Sequence, residues 1–116
     1  MFAYHGTDNR FLVFNDDILG NSTGDPNTVL GHFFTNTISE AKLYGETIIE
    51  ASLVMNKSYD ATMDELVSLD IDDYVTMRDE LINSGFDSII APHDTGNGLW
   101  YVIFSANQVI INSIFN

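Results

Sequence analysis

The sequence predicts an α+β domain built on a largely antiparallel sheet with a few short helices. Apolar, β-branched segments recur near both ends of the chain, at Phe2–Thr7 and again between Phe86 and Phe115. Helix-period segments are concentrated in the middle. Strands and helices do not alternate regularly, as the βαβ units of a parallel sheet require. With 116 residues the chain holds one core, so a single domain over residues 1–116 is expected.

The opening stretch, Phe2-Ala3-Tyr4-His5-Gly6-Thr7, is a short strand that delivers a histidine, a glycine and a threonine to its own end. Binding groups on a strand end are held more rigidly than groups on a free loop. Gly6 lacks a Cβ and allows close approach to the backbone. Phe11-Leu12-Val13-Phe14 reads as a strand or a tucked-in turn. Asn15 to Thr28, rich in Asn, Asp, Gly, Ser and Thr and containing Pro26, is a surface loop. Polar loops of this length inside a compact domain are often lids or disordered segments.

Val29–Thr35 follows as a strand. Thr37-Ile38-Ser39-Glu40 has the form of a capping box and starts a helix reaching about Tyr44, ended by Gly45. Its spacing brings Ala41 and Tyr44 to nearby faces. Thr47–Met55 is a β-branched strand with Glu50 and Ser52 facing outward. Asn56–Asp60 reads as a turn.

Ala61–Leu69 and Asp73–Ser84 read as helices. The second carries an apolar stripe of Tyr74, Met77, Leu81 and Ile82, with Gly85 as its C′ residue. Phe86–Ala91 is a strand stopped by Pro92. His93-Asp94-Thr95-Gly96-Asn97-Gly98 turns the chain into Leu99–Phe104, making a hairpin, and Val109–Phe115 is a last strand.

Composition restricts the function. Hydrophobic residues make up 45% of the chain, an ordinary globular share. Seventeen acidic residues face four basic ones, for a formal net charge of -13. Direct nucleic-acid binding needs clustered Lys and Arg and is not expected. An anionic membrane repels such a chain, and no apolar run approaches a membrane span. The absence of cysteine removes disulfides and thiolate metal sites. No signal peptide is recognisable, so a cytoplasmic protein is expected. The high net charge favours a monomer, and the acidity serves solubility or steers the chain to a basic partner.

His5, His32 and His93 are the only histidines, and no pair has the i, i+4 spacing that aligns metal ligands on a helix, so no metal is expected. No nucleophile elbow, P-loop or dinucleotide fingerprint is present. What remains is an ordered set. It comprises Tyr4-His5-Gly6-Thr7, then Gly31-His32-Phe33-Phe34-Thr35 with Ala41 and Tyr44, then Gly85–Ile90, the acidic turn at Asp94 and the segment Trp100–Val109.

This set resembles the ADP-ribosyltransferase superfamily in its diphtheria-toxin and poly(ADP-ribose) polymerase branch, whose signature is His, Tyr and an acid. It is also similar in look to small phage anti-CRISPR ADP-ribosyltransferases. The resemblance spans nearly the whole chain and implies a split antiparallel sheet core with NAD as substrate. It implies that His5 bonds the adenosine-side ribose, that Gly6 offers its backbone to the nicotinamide amide and that Thr7 supports the same turn. Tyr44 stacks on the nicotinamide ring, while Phe34, Thr35 and Trp100 line the cleft. Many relatives carry Glu immediately before the closing aromatic strand, where this chain has Trp100. The nearest upstream acid, Asp94, is therefore the expected catalytic acid, and Gln108 is a further polar position in many relatives.

The implied activity is mono-ADP-ribosylation of a host protein by a phage or bacterial effector, anti-CRISPR or toxin-like, with a nucleic-acid-handling complex as a fitting acceptor. Two other functions stand beside it: an inactive acidic inhibitor that mimics nucleic acid, and an NAD glycohydrolase. Bland roles exist for the same residues. His5 can be a histidine bonded to the sheet backbone, Tyr44 a core aromatic, and Asp94 part of a plain hairpin turn.

Overall fold

A computed structural model describes residues 2–8, 26–92 and 98–115. Seven strands form one sheet: β1 (Phe2–Thr7), β2 (His32–Thr35), β3 (Thr47–Leu53), β4 (Ser58–Asp60), β5 (Ser88–Pro92), β6 (Leu99–Ile103) and β7 (Val109–Phe115). Their order is β4-β5-β6-β2-β1-β3-β7. Every neighbouring pair is antiparallel except β4 with β5. The helices are short: α1 (Ile38–Ala41), α2 (Met63–Val67) and α3 (Ile71–Asn83), with 3₁₀ turns at Pro26–Val29 and Ala106–Gln108. The α+β class and the β5–β6 hairpin follow the sequence reading.

The sheet is joined unevenly. β1 pairs with β3 along its whole length, from Phe2↔Ser52 to Thr7↔Thr47. Between β1 and β2 there is one ladder pair, Tyr4↔Thr35. Two half-sheets, β4-β5-β6-β2 and β1-β3-β7, therefore meet at a single register point.

Strand alternation sorts the core onto two faces. On one, Trp100, Val102, Ile89 and Ala91 pack with Leu66 of α2 and Tyr74 of α3. On the other, Tyr101, Ile103 and Phe34 pack with Ala3, Ile49 and Ala51 from the second half. Ile111 and Ile114 join this second cluster although they lie three apart, a spacing that sends strand residues to opposite faces. A register shift of β7 opposite Glu50 and Ala51 inserts one residue and restores the face.

Helix termini follow their signals. Thr62 and Glu65 form a complete capping box on α2, and Asp70 caps α3 by accepting from the Asp73 amide at 3.0 Å. At the far end of α3, Gly85 has φ +90. The Phe86 amide donates to the Leu81 carbonyl and the Gly85 amide to Ile82, which is a Schellman closure. The Arg78 guanidinium donates to the carbonyls of Leu30 and Phe104, tying α3 to the lead-in of β2 and the end of β6.

Four expectations need correction. Ser58–Asp60, read as turn, is strand β4, paired parallel to β5 and pinned by a 2.6 Å contact between the Ser58 and Ser88 hydroxyls. The turn is narrower because the Asp87 carboxylate accepts from the amides of Asn56 and Lys57. β2 begins at His32 rather than Val29, which belongs to a 3₁₀ turn. α1 stops at Ala41, with a turn carrying the chain to Tyr44. Ile82 lies off the buried stripe of α3 and is 43% exposed. Phe11–Phe14, most of the Asn15–Thr28 loop, and His93–Asn97 lie outside the described residues.

Candidate functional site

The site grows from the end of β1 and the short helix laid across it. Thr37 caps α1, its hydroxyl accepting from the Glu40 amide at 3.3 Å. Four residues are too few for a helix to stand by propensity alone, so its position is set by packing. Gly6 provides that packing: a Cβ there would lie 1.7 Å from the Ala41 carbonyl oxygen. Gly45 repeats the device, where a Cβ would come within 2.2 Å of the Thr7 backbone. The close approach that Gly6 permits is thus that of α1. The following turn, with Tyr44, is held over Gly6 and Thr7.

Across the sheet on this side runs a row set by register: Glu50↔Tyr4, Tyr4↔Thr35, Thr35↔Trp100 and Trp100↔Ala91. Tyr44 reaches this row. The indole Nε1–H of Trp100 donates to the Tyr44 hydroxyl at 3.3 Å, while the Tyr44 side chain remains partly in solvent, at 41% exposure. The Thr35 hydroxyl donates to the Thr37 carbonyl at 2.8 Å, fastening β2 to the start of α1.

His5 lies one residue past the single β1–β2 ladder pair. Its ring, not its backbone, bridges the strands: Nδ1–H donates to the Phe33 carbonyl at 2.7 Å. A carbonyl only accepts, so this bond fixes the proton on Nδ1 and makes Nε2 an acceptor. Burial lowers the His5 pKa. The Phe33 carbonyl opposes that shift and the nearby His32 adds to it. The ring is neutral at pH 7 and packs against Phe34, with centroids 5.6 Å apart.

The structure sets His5, Gly6 and Thr7 of β1 and Phe34 and Thr35 of β2 where the two half-sheets part, with His5 against Phe34 on one face and Tyr44 bonded to Trp100, the cross-strand partner of Thr35, on the other. Their exposures differ. Phe34, Thr35 and Trp100 are buried and back the site, whereas His5 and Thr7 are half-buried and Tyr44 is exposed. Asp94, the expected acid, lies outside the described residues. Gln108 is a structural brace, donating to the carbonyls of Val54 and Asp87 and accepting from the Ser105 amide.

Two residues here were not singled out from sequence as site residues. Asn36 accepts from the Leu99 amide at 2.9 Å, fixing the start of β6. Glu40, read only as half of a cap, is a buried acid. Its Oε1 lies 3.1 Å from where a Cβ on Gly98 would stand. The S/T-x-x-E pattern located this residue, but nothing local predicts that its carboxylate turns toward a distant glycine. Among the described residues, no group of three or more His, Asp or Glu side chains is placed to hold a metal ion, and no helix is long and apolar enough to cross a membrane.

No protein-family model and no curated protein matches the sequence. Among solved structures, the crystal structure of an anti-CRISPR protein matches with a TM-score of 0.62 and 14% sequence identity, covering 97% of this chain and 95% of that chain. The two share a fold over nearly their whole lengths.

Proposed function

We propose that this protein is a phage counter-defence effector of the anti-CRISPR type, acting as an NAD-dependent mono-ADP-ribosyltransferase on a host protein. One observation carries the enzymatic part: a neutral His5 bridges the strands where the two half-sheets part, one residue beyond the last ladder pair of β1 with β2. A parting of strands backed by Phe34, Thr35 and Trp100 suits a flat, extended substrate such as NAD. The counter-defence part is supported by the fold shared with an anti-CRISPR protein.

In this reading His5 offers Nε2 to a ribose hydroxyl on the adenosine side, and Tyr44 stacks on the nicotinamide ring. The Gly6 backbone holds the nicotinamide carboxamide, and Thr7 supports that turn. As the bond from nicotinamide to ribose breaks, positive charge builds on the ribose and a carboxylate stabilises it. Asp94 takes that role by the resemblance described above. Nicotinamide leaves with the bonding electron pair, and a nucleophile of the host protein bonds to the ribose carbon, releasing its proton to solvent.

The test is NAD titration with measurement of nicotinamide release, comparing the parent chain with His5→Ala and Asp94→Ala. The expected result is binding that weakens in His5→Ala and release that vanishes in Asp94→Ala while binding persists. No NAD binding at millimolar concentration would sink the enzymatic reading and leave a non-enzymatic inhibitor. Plating phage that carry the gene on a CRISPR-immune host tests the biological role separately, since protection without NAD binding keeps counter-defence and removes the chemistry.

A further inference from the structure

We infer that the outer face of α2 and α3 docks a basic protein surface with an apolar centre. α3 uses little of itself in the core: Tyr74 is its one buried residue, with Met77, Arg78 and Leu81 half-buried beside it. Ile71, Val75 and Ile82 stand at i, i+4 and i+11, a single stripe of a helix. They are 49%, 44% and 43% exposed. Val67 and Leu69, also exposed, lead directly into this stripe from the end of α2. Three aliphatic side chains on one stripe of α3, with two more exposed in the segment that leads into it, exceed the scattered single exposures normal for a protein surface.

The border of the stripe names the partner. Asp70, Asp72, Asp79 and Glu80 are exposed around it. The one cation between Asp60 and Glu80 is Arg78, which turns inward to the Leu30 and Phe104 carbonyls. A second copy of the chain brings the same carboxylates against themselves, and an anionic membrane is repelled in the same way. A basic protein surface with aliphatic or aromatic residues at its centre satisfies both the stripe and its rim. This inference holds whether or not the cleft takes NAD.

The probe is a synthetic amphipathic helical peptide of Lys and Leu, titrated into isotope-labelled protein and followed by amide chemical shifts, with oligolysine of equal charge as comparison. Expected are shift changes centred on residues 67–82 and affinity for oligolysine at least about tenfold weaker. Val75→Asp or Ile82→Ser should weaken the peptide about tenfold while leaving the free protein's spectrum folded, since both side chains are already in solvent. Equal binding of oligolysine, or shifts spread over acidic positions elsewhere, would overturn the proposal in favour of charge alone. A doubled mass of the isolated protein that Val75→Asp abolishes would overturn it in favour of a second copy.

Discussion

His5 is bonded to Phe33 through its ring, at 2.7 Å, one residue beyond the only ladder pair between β1 and β2. A side chain thus takes over where the backbone ladder stops, and the strands part without leaving the Phe33 carbonyl unbonded. Such a carbonyl buried without a donor costs about 1–3 kcal/mol. The ring that makes this bond is also the one whose other nitrogen is aimed at substrate in the proposed mechanism.

Stability should therefore fall in mildly acidic solution. Burial is the main cause of the lowered His5 pKa, against an ordinary value of 6.5 in the unfolded chain. As pH drops through 6.5, the unfolded chain takes up a proton that native His5 refuses, so the native state loses stability; above 6.5 the contribution is complete. The slope from one such group is at most about 1.4 kcal/mol per pH unit. His5→Phe should flatten it. Urea denaturation midpoints for the two proteins between about pH 7.5 and 5.5 measure the difference. Parallel curves for both would refute the neutral ring.

Gly6→Ala should cost more than a routine glycine replacement. The obstruction is the Ala41 carbonyl, 1.7 Å from the new methyl carbon, and backbone cannot swing aside as a side chain can. α1 must lift from β1, carrying Tyr44 with it. A loss of about 3 kcal/mol, at the top of the usual overpacking range, is expected. NAD binding should weaken further than stability alone explains. Chemical denaturation with parallel NAD titration separates the two effects.

The parts of this fold that were readable in the sequence are those whose causes are local. The β5–β6 hairpin, the body of α3 and its glycine end each depend on residues within a few positions of one another. β4 was missed because Ser58–Asp60 becomes a strand only through β5 and the Ser88 hydroxyl, thirty residues on. The role of Gly6 was legible as a need for close approach, yet the approaching group, Ala41, was not. The same holds at the site. His5 and Tyr44 stand in the sequence as members of the ordered His, Tyr and acid set, whereas Asn36 and Glu40 become visible only once α1 is set against the start of β6.

Arg78→Ala should destabilise the chain strongly although the residue is only half-buried. Its guanidinium donates to the Leu30 and Phe104 carbonyls and lies over the Phe104 ring at 5.3 Å. Truncation strips both carbonyls of a charged donor, for an expected loss of about 3 kcal/mol. Arg78→Lys should recover less than half, because a single ammonium does not reproduce the planar fork that meets two carbonyls at once. Melting of the two variants against the parent chain tests this.

Tyr44 separates packing from recognition. Its hydroxyl accepts from the Trp100 indole at 3.3 Å, while its ring is partly in solvent. Tyr44→Phe removes the acceptor and keeps the ring, so stability should drop by about 1 kcal/mol, the worth of one ordinary hydrogen bond. If the ring stacks on nicotinamide, NAD affinity in that variant should stay within about threefold of the parent, because the flat face persists. Tyr44→Ala removes both, and NAD affinity should then fall by about tenfold or more, matching a stacking contact worth roughly 1.4 kcal/mol. Equal losses in the two variants would assign Tyr44 to holding Trp100 and not to stacking on substrate, and the aromatic platform for nicotinamide would have to be sought elsewhere on the rim of the parted strands.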